Sequence, residues 1–254
     1  MTSWIRHAYS KGIVTTSFPD TPPTPDELPS GTCAPGASPG VLSRLTADVR
    51  SLCPTEAITT TEVDQGKCVR CARCLHHGLF GSAGTSGTVG VRDALHWPDG
   101  HPPADPPRPD PPLATLARSV HVFLIDVGSC QGCNLEVLGL SNPYYDLNRL
   151  GLFFTNSPRH ADVLVVVGVP TPAMVEPLRR TFEAMPSPKA VLAVGACAID
   201  GGVFAGAPAL RSPVSRVIPV DLYVAGCPPP PVAILEGLIR LARGPVGAPA
   251  EVRP

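Results

Sequence analysis

Three short apolar runs in the second half of the chain, at 120–127, 190–195 and 217–225, each give way within a few residues to a cysteine. A further run at 162–169 has the same strand-like length, and stretches with helical patterning at 135–140, 173–184 and 231–243 alternate with the runs. The last of these is entered through prolines, which a first helical turn tolerates because its N–H groups lack intrahelical partners. Continuous rather than alternating apolar residues point to strands covered on both faces. The expected fold is therefore α/β, with a flavodoxin-like parallel sheet. In such a sheet the carboxyl ends of the strands share one edge, where the ligand crevice forms. Cys130 and Cys133 after the first run, Cys197 after the run at 190–195 and Cys227 after the last are thus expected to converge, though far apart in the chain.

Four converging thiolates suit a [4Fe-4S] cluster. Gly128, Gly132, Gly195 and Gly226 beside them leave room for backbone to approach it and for amides to hydrogen-bond its sulfurs. A thioredoxin-like dithiol also uses Cys-x-x-Cys between strand and helix, but it leaves Cys197 and Cys227 without a role. A structural zinc site is the other alternative.

The first half carries its own cysteine group. CVRCARC supplies Cys68, Cys71 and Cys74, and the remote Cys53 is followed at once by Pro54. In two-cluster bacterial ferredoxins, each Cys-x-x-Cys-x-x-Cys run lends the cysteine that precedes proline to the other cluster. The three partners of Cys53 in such a run fall at Ser43, Thr46 and Val49, and the fourth cysteine of the second run falls at Gly78. One cluster's ligand set is absent as a whole, and the other, Cys53, Cys68, Cys71 and Cys74, is present as a whole. The expectation is a single [4Fe-4S] cluster in this half and two clusters in the chain. Zinc is the alternative here too, although zinc ribbons usually pair two separated Cys-x-x-Cys knuckles. A c-type haem is excluded, because Leu75 stands where histidine is required.

From 98 to 112 eight of fifteen residues are proline, the composition of a stiff, extended linker. The expected organisation is an extended arm at 1–35, a small ferredoxin-like α+β domain at 36–92, a Pro-rich linker at 93–117 and the parallel-sheet domain at 118–254. Short strand-like pieces at 57–61 and 87–91 flank the first cysteine loop. A segment this small needs a staple, and a cluster is one.

A formal charge of -1 without a long basic run gives little attraction to a phosphate backbone, which argues against general nucleic-acid binding. No apolar stretch approaches the roughly 20 residues of a bilayer span. The N-terminus lacks an apolar h-region, and the one Arg pair, Arg179 with Arg180, is internal. Neither a Sec nor a twin-arginine signal is visible, so the expected location is cytoplasmic. Nine cysteines in that compartment indicate metal or redox chemistry rather than disulfides. Cys33 belongs to neither group of four and is expected to be a free thiol. His76 and His77 are expected to face solvent, and Tyr144 and Tyr145 to lie in the core or at an interface.

The strings DVGSCQGCNLE, SPRHAD, GACAIDGGVF and VAGCPPPP resemble the small, cluster-bearing subunit of membrane-bound group 4 nickel-iron hydrogenases of the formate hydrogenlyase type, and its relative in respiratory complex I. WIRHAYSKGIVTTSFP and the ferredoxin pattern are similar to the ferredoxin adaptor subunit of those complexes, here fused. The resemblance implies that Cys130, Cys133, Cys197 and Cys227 hold a cluster beside the active site of a large subunit. The further implied partners are membrane-arm subunits and an electron carrier or ferredoxin subunit. The chain would then be peripheral on the inner face of the membrane. The quinone-reducing relative carries adjacent cysteines, whereas Gln131 and Gly132 separate Cys130 from Cys133 here, as in hydrogenases. Some relatives have arginine where this chain has Pro230. Glu136 lies near a predicted helix start, where a carboxylate is stabilised by the helix dipole; the resemblance instead implies proton transfer near the active site. Arg159 and His160 precede a predicted strand, where Arg159 is expected to tune the cluster by its charge.

Overall fold

The computed structural model describes Arg6, Ser10, Lys11 and residues 51–58, 64, 66–71, 73, 113–116, 118–211 and 213–243. The expectations placed on Cys33, Cys74, His76, His77, the strand-like piece at 87–91 and the linker at 98–112 lie outside the described residues.

Five strands form one parallel sheet: β1 (Val120–Asp126), β2 (Leu152–Phe154), β3 (Val163–Val167), β4 (Ala190–Val194) and β5 (Leu222–Val224). Their order across the sheet is β2-β1-β3-β4-β5, the doubly wound flavodoxin-like arrangement. The helices packed around this sheet are α1 (Gly132–Gly139), α2 (Pro172–Ala184), α3 (Ala196–Ile199) and α4 (Pro231–Arg243). In β3 and β4 every residue is buried, because the sheet is covered on both sides. Val163, Val165 and Val167 pack with Leu192, Ile234, Leu235 and Leu238 on one face. Leu164 and Val166 join Leu178, Val191 and Met185 on the other. The period of two along the strand thus divides one apolar run between two cores.

The parallel α/β fold is as expected, with local differences. β5 is shorter than the apolar run at 217–225 because Pro219 has no N–H to give the ladder; a 3-10 turn, Val214–Arg216, precedes it. β2, three residues long, carries no periodic signal of its own. α1 begins three residues before the patterned stretch at 135–140, because hydrogen bonds within the loop before it, described below, set its start.

Candidate functional site

β1 ends on Asp126, and the loop that follows turns around that carboxylate. Its oxygens accept the N–H groups of Gly128 and Ser129 (both 2.8 Å), the Ser129 hydroxyl (2.7 Å), the Gln131 side-chain amide (3.3 Å) and the Asn134 side-chain amide (2.6 Å). Burial by itself would raise the Asp126 pKa, but these donors outweigh it and hold the carboxyl below its usual range. The network fixes the position of Cys130 and starts α1 at Gly132, with Gln131 at φ 72° as the residue before it. A depressed carboxyl pKa stabilises the fold above the unfolded-state value, and that contribution is lost as pH falls through the lower folded value. Asp126→Ala should cost about 1–2 kcal/mol, the worth of a shared charge-assisted set of bonds that is partly in water. A thermal melt near neutral pH checks this; the difference between variant and native chain should shrink in acid as the native carboxyl takes up its proton.

The cysteines of the second group meet at the carboxyl edge. Gly195 N–H donates to Val224 O and Ala196 N–H to Gly226 O, both at 2.8 Å, so the ends of β4 and β5 are tied beside each other. Cys133 is buried, Cys197 half-buried, and Cys130 and Cys227 are exposed. Burial first, then the neighbouring thiols of Cys197, Cys227 and Cys130 and the carboxylate of Glu136, push the Cys133 thiol up to about 12. Burial, Cys227 and Cys130 push Cys197 up to about 11. Cys130 acts on all three of the others, Cys227 on Cys133 and Cys197, and Cys197 on Cys133, so the four sulfurs lie near one another. Glycine backbone lies against three of them. A Cβ would stand 2.5 Å from Cys133 Sγ at Gly195, 3.3 Å from Cys197 Sγ at Gly202 and 3.6 Å from Cys130 Sγ at Gly132. Gly195 (φ 90°) and Gly202 (φ 55°) also have backbones that side-chain-bearing residues rarely adopt.

Four thiols crowded where each opposes its neighbours' ionisation, with bare backbone around them, fit a group whose positive iron neutralises the thiolates and whose bulk needs the missing side chains. A single zinc ion instead draws its thiolates to about 2.3 Å of one point. Among the described residues no three His, Cys, Asp or Glu side chains are placed to hold a metal ion.

In the first group, Asp64 N–H donates to Ala57 O (2.8 Å) and Cys68 N–H to Asp64 O (3.0 Å). These bonds bring the segment of Cys53 to that of Cys68. The Asp64 carboxylate holds the turn by accepting from Gly66 N–H (2.9 Å) and Lys67 N–H (3.3 Å). Ala57 N–H donates to Cys53 Sγ at 3.3 Å, the type of contact that raises a cluster's potential. Burial raises the Cys68 pKa, and Cys53 and Cys71 add to it, against the opposing influence of Arg70. Three of the four expected ligands are therefore gathered; Cys74 lies outside the described residues.

Glu136 is the fifth residue of α1, past the first turn, which contains no acidic residue. Dipole stabilisation at the helix start is not its setting. It lies close enough to Cys133 to affect that thiol, and burial raises its own pKa. Arg159 and His160 are exposed on the 3-10 turn Pro158–His160. Tyr145 packs on the core and meets Tyr144 edge to face at 5.2 Å. Sequence reasoning missed Asp126, Ser129, Asn134 and Arg70. An acidic residue closing an apolar run three positions before Ser129 was a usable signal for Asp126; Arg70 offered none.

A doubly wound sheet that presents four thiols on its carboxyl edge defines a subunit built for redox chemistry. Residues 130–241 match the family model described as NADH ubiquinone oxidoreductase, 20 Kd subunit. The chain is similar to the probable membrane-bound hydrogenase subunit mbhJ of Pyrococcus furiosus, with 44% identity over 124 residues, which are 49% of this chain and 74% of the relative. It is 38% identical to formate hydrogenlyase subunit 7 of Escherichia coli over 125 residues, 49% of each chain. Among solved structures, a chain of the membrane-bound sulfane sulfur reductase, an archaeal respiratory membrane complex, aligns at 34% identity and a TM-score of 0.45, covering 51% of this chain and 73% of that one. The chain belongs to the 20 kDa subunit family of NADH ubiquinone oxidoreductase, which includes these hydrogenase subunits, and is an oxidoreductase subunit. Among the described residues no helix is long and apolar enough to cross a membrane.

Proposed function

We propose that the chain is the electron-relay subunit of a membrane-associated, group 4 [NiFe] hydrogenase-type complex, passing electrons between a ferredoxin-like donor and an active site in a large subunit. The observation that carries this reading is the convergence of Cys130, Cys133, Cys197 and Cys227 at the carboxyl edge, with Gly195 and Gly202 leaving the sulfurs uncovered. These four would hold one [4Fe-4S] cluster, and Cys53, Cys68, Cys71 and Cys74 a second. When bound, each cluster supplies a one-electron couple. The thiolates anchor it, Gly195 and Gly202 admit it, and the Ala57 amide supports the Cys53 sulfur.

The same reading divides the chain into an arm at 1–35, a ferredoxin-like domain at 36–92, a linker at 93–117 and the parallel-sheet domain at 118–254. It places the chain in the cytoplasm, peripheral on the inner face of the membrane through its partners. Leu135 and Leu138 on α1, and Val203 and Phe204 on the turn after Cys197, are large apolar side chains left 48–68% exposed beside the cysteines. Apolar surface flanking a redox site supports a large subunit seated there. Delivery of electrons to quinone, as in complex I, is the second reading; Gln131 and Gly132 between Cys130 and Cys133 favour the first.

Anaerobically prepared protein should be brown, bleach with dithionite and contain about eight iron per chain, two four-iron clusters. A colourless zinc protein would sink both readings. In the partner large subunit, two Cys-x-x-Cys pairs would supply the thiolates for nickel, and their absence would turn the assignment to quinone or another acceptor.

Glu136, half-buried and beside Cys133, is assigned the proton path to the active site. Its raised pKa lets it hold a proton at higher pH than an exposed glutamate. Glu136→Gln in the assembled complex should lower turnover by about 10²-fold, the usual worth of a positioned acid or base, with iron content unchanged. Full turnover would remove the role.

A further inference from the structure

Arg70 belongs to the first cysteine loop and reaches the second cysteine site. Its backbone is left-handed, at φ 54°, a region where residues other than glycine are uncommon. Its amide donates to the Cys68 sulfur. Its guanidinium Nη2 donates to the carbonyl oxygen of Ala225 at 3.3 Å, two residues before Cys227. A second contact runs beside this one. Gly66 is buried against Ile199, where a Cβ would stand 3.0 Å from Ile199 Cγ2. Ile199 is the last residue of α3, the helix that carries Cys197. The loop at 66–71 is thus held at two separate points, one at the end of α3 and one at the end of β5.

The chemistry of the side chain suits this place. A guanidinium is charged at every physiological pH and presents a rigid fork of donors. From this position its charge stands in the loop of Cys68 and Cys71 and beside the strand end that leads to Cys227. A cation between two redox centres favours, at each, the form that carries the additional electron.

We propose that Arg70 is a positioning residue that fastens the loop of Cys68 and Cys71 to the Cys227 side of the second site and, through its charge, raises the reduction potential of both clusters. The proposal rests on the two-cluster reading above. The transfer it serves moves one electron from one cluster to the other, one oxidised as the other is reduced, and no bond is made or broken. The Pro-rich stretch at 98–112 then need not set the spacing of the two sites, because the contacts of Arg70 and Gly66 do.

The test compares the anaerobically purified full-length chain with Arg70→Gln and Arg70→Lys. Two measurements are made on each, the midpoint potentials of both clusters by redox titration followed by electron paramagnetic resonance, and amide hydrogen exchange across 66–71. With iron content equal to that of the native chain, Arg70→Gln should shift the reduction equilibrium of each cluster by about tenfold toward the oxidised form, about 59 mV for one electron. Arg70→Lys, which keeps the charge, should recover most of that shift. Exchange across 66–71 should quicken by about tenfold in Arg70→Gln, the worth of one hydrogen bond from a charged donor. Unchanged potentials and exchange at full iron overturn the proposal, as does an Arg70→Lys chain shifted as far as Arg70→Gln. A native chain with about four iron or none sinks the two-cluster reading instead. In that case hydrogen exchange alone decides the fastening, and unchanged exchange discards it.

Discussion

Cys133→Ser should remove the cluster of the parallel-sheet domain and leave the other in place, so that iron falls from about eight to about four per chain. Serine sometimes substitutes for cysteine as an iron ligand, but it must bind as an alkoxide, and this position resists charge. Cys133 is 8% exposed and already holds its proton up to about 12, through burial and the neighbouring sulfurs. A hydroxyl, less acidic than a thiol, is worse placed to ionise there. Iron analysis together with electron paramagnetic resonance separates the two sites, since one signal should vanish while the second persists. Retention of all the iron in Cys133→Ser would mean that this thiol is not a ligand and that the four-sulfur site has been misread.

Gly195→Ala should be as damaging by another route. The new methyl group would lie 2.5 Å from Cys133 Sγ, on a backbone at φ 90°. The backbone cannot yield easily, because Gly195 N–H is bonded to Val224 O at 2.8 Å and the next amide to Gly226 O. The sulfur cannot yield either without leaving the position from which it meets Cys197 and Cys227. Left-handed strain and overpacking together should cost about 2–4 kcal/mol, and the iron of this site should be lost with it. Denaturant unfolding of the metal-free chain isolates the first effect from the second. A variant that unfolds like the native chain and binds the full complement of iron would show that the close approach at Gly195 is not required.

The two variants act on the one point that links fold to chemistry here. Cys133 lies on α1 after β1, and Gly195 follows β4. β3 separates those strands in the sheet, so their contact belongs to the carboxyl edge as a whole. The partner surface proposed for this chain follows from the same placement. Leu135 and Leu138 lie on α1 just past Cys133, and Phe204 lies on the turn that follows α3 and its Cys197. A protein seated on these side chains would meet the redox site directly.

The amino-acid sequence by itself determined the strand runs, three of the helices and the two cysteine groups, because each is written in a short-range pattern. Apolar continuity over six to nine residues marks a buried parallel strand, and the spacing of CVRCARC is the ground for proposing a cluster loop. Even the convergence of Cys130, Cys133, Cys197 and Cys227 was legible, since a parallel sheet puts all strand ends on one edge. The tertiary structure alone decided which groups surround those sulfurs. Asp126 gathers five donors only once the loop to Asn134 has closed. Glu136 gains its neighbour Cys133 and its burial because α1 begins at Gly132. Arg70 meets Ala225, 155 positions later, through a path of the chain that no local period encodes. A hydrogen bond between remote residues depends on where the backbone has been carried by the packing of everything between, and that information is not held at either residue.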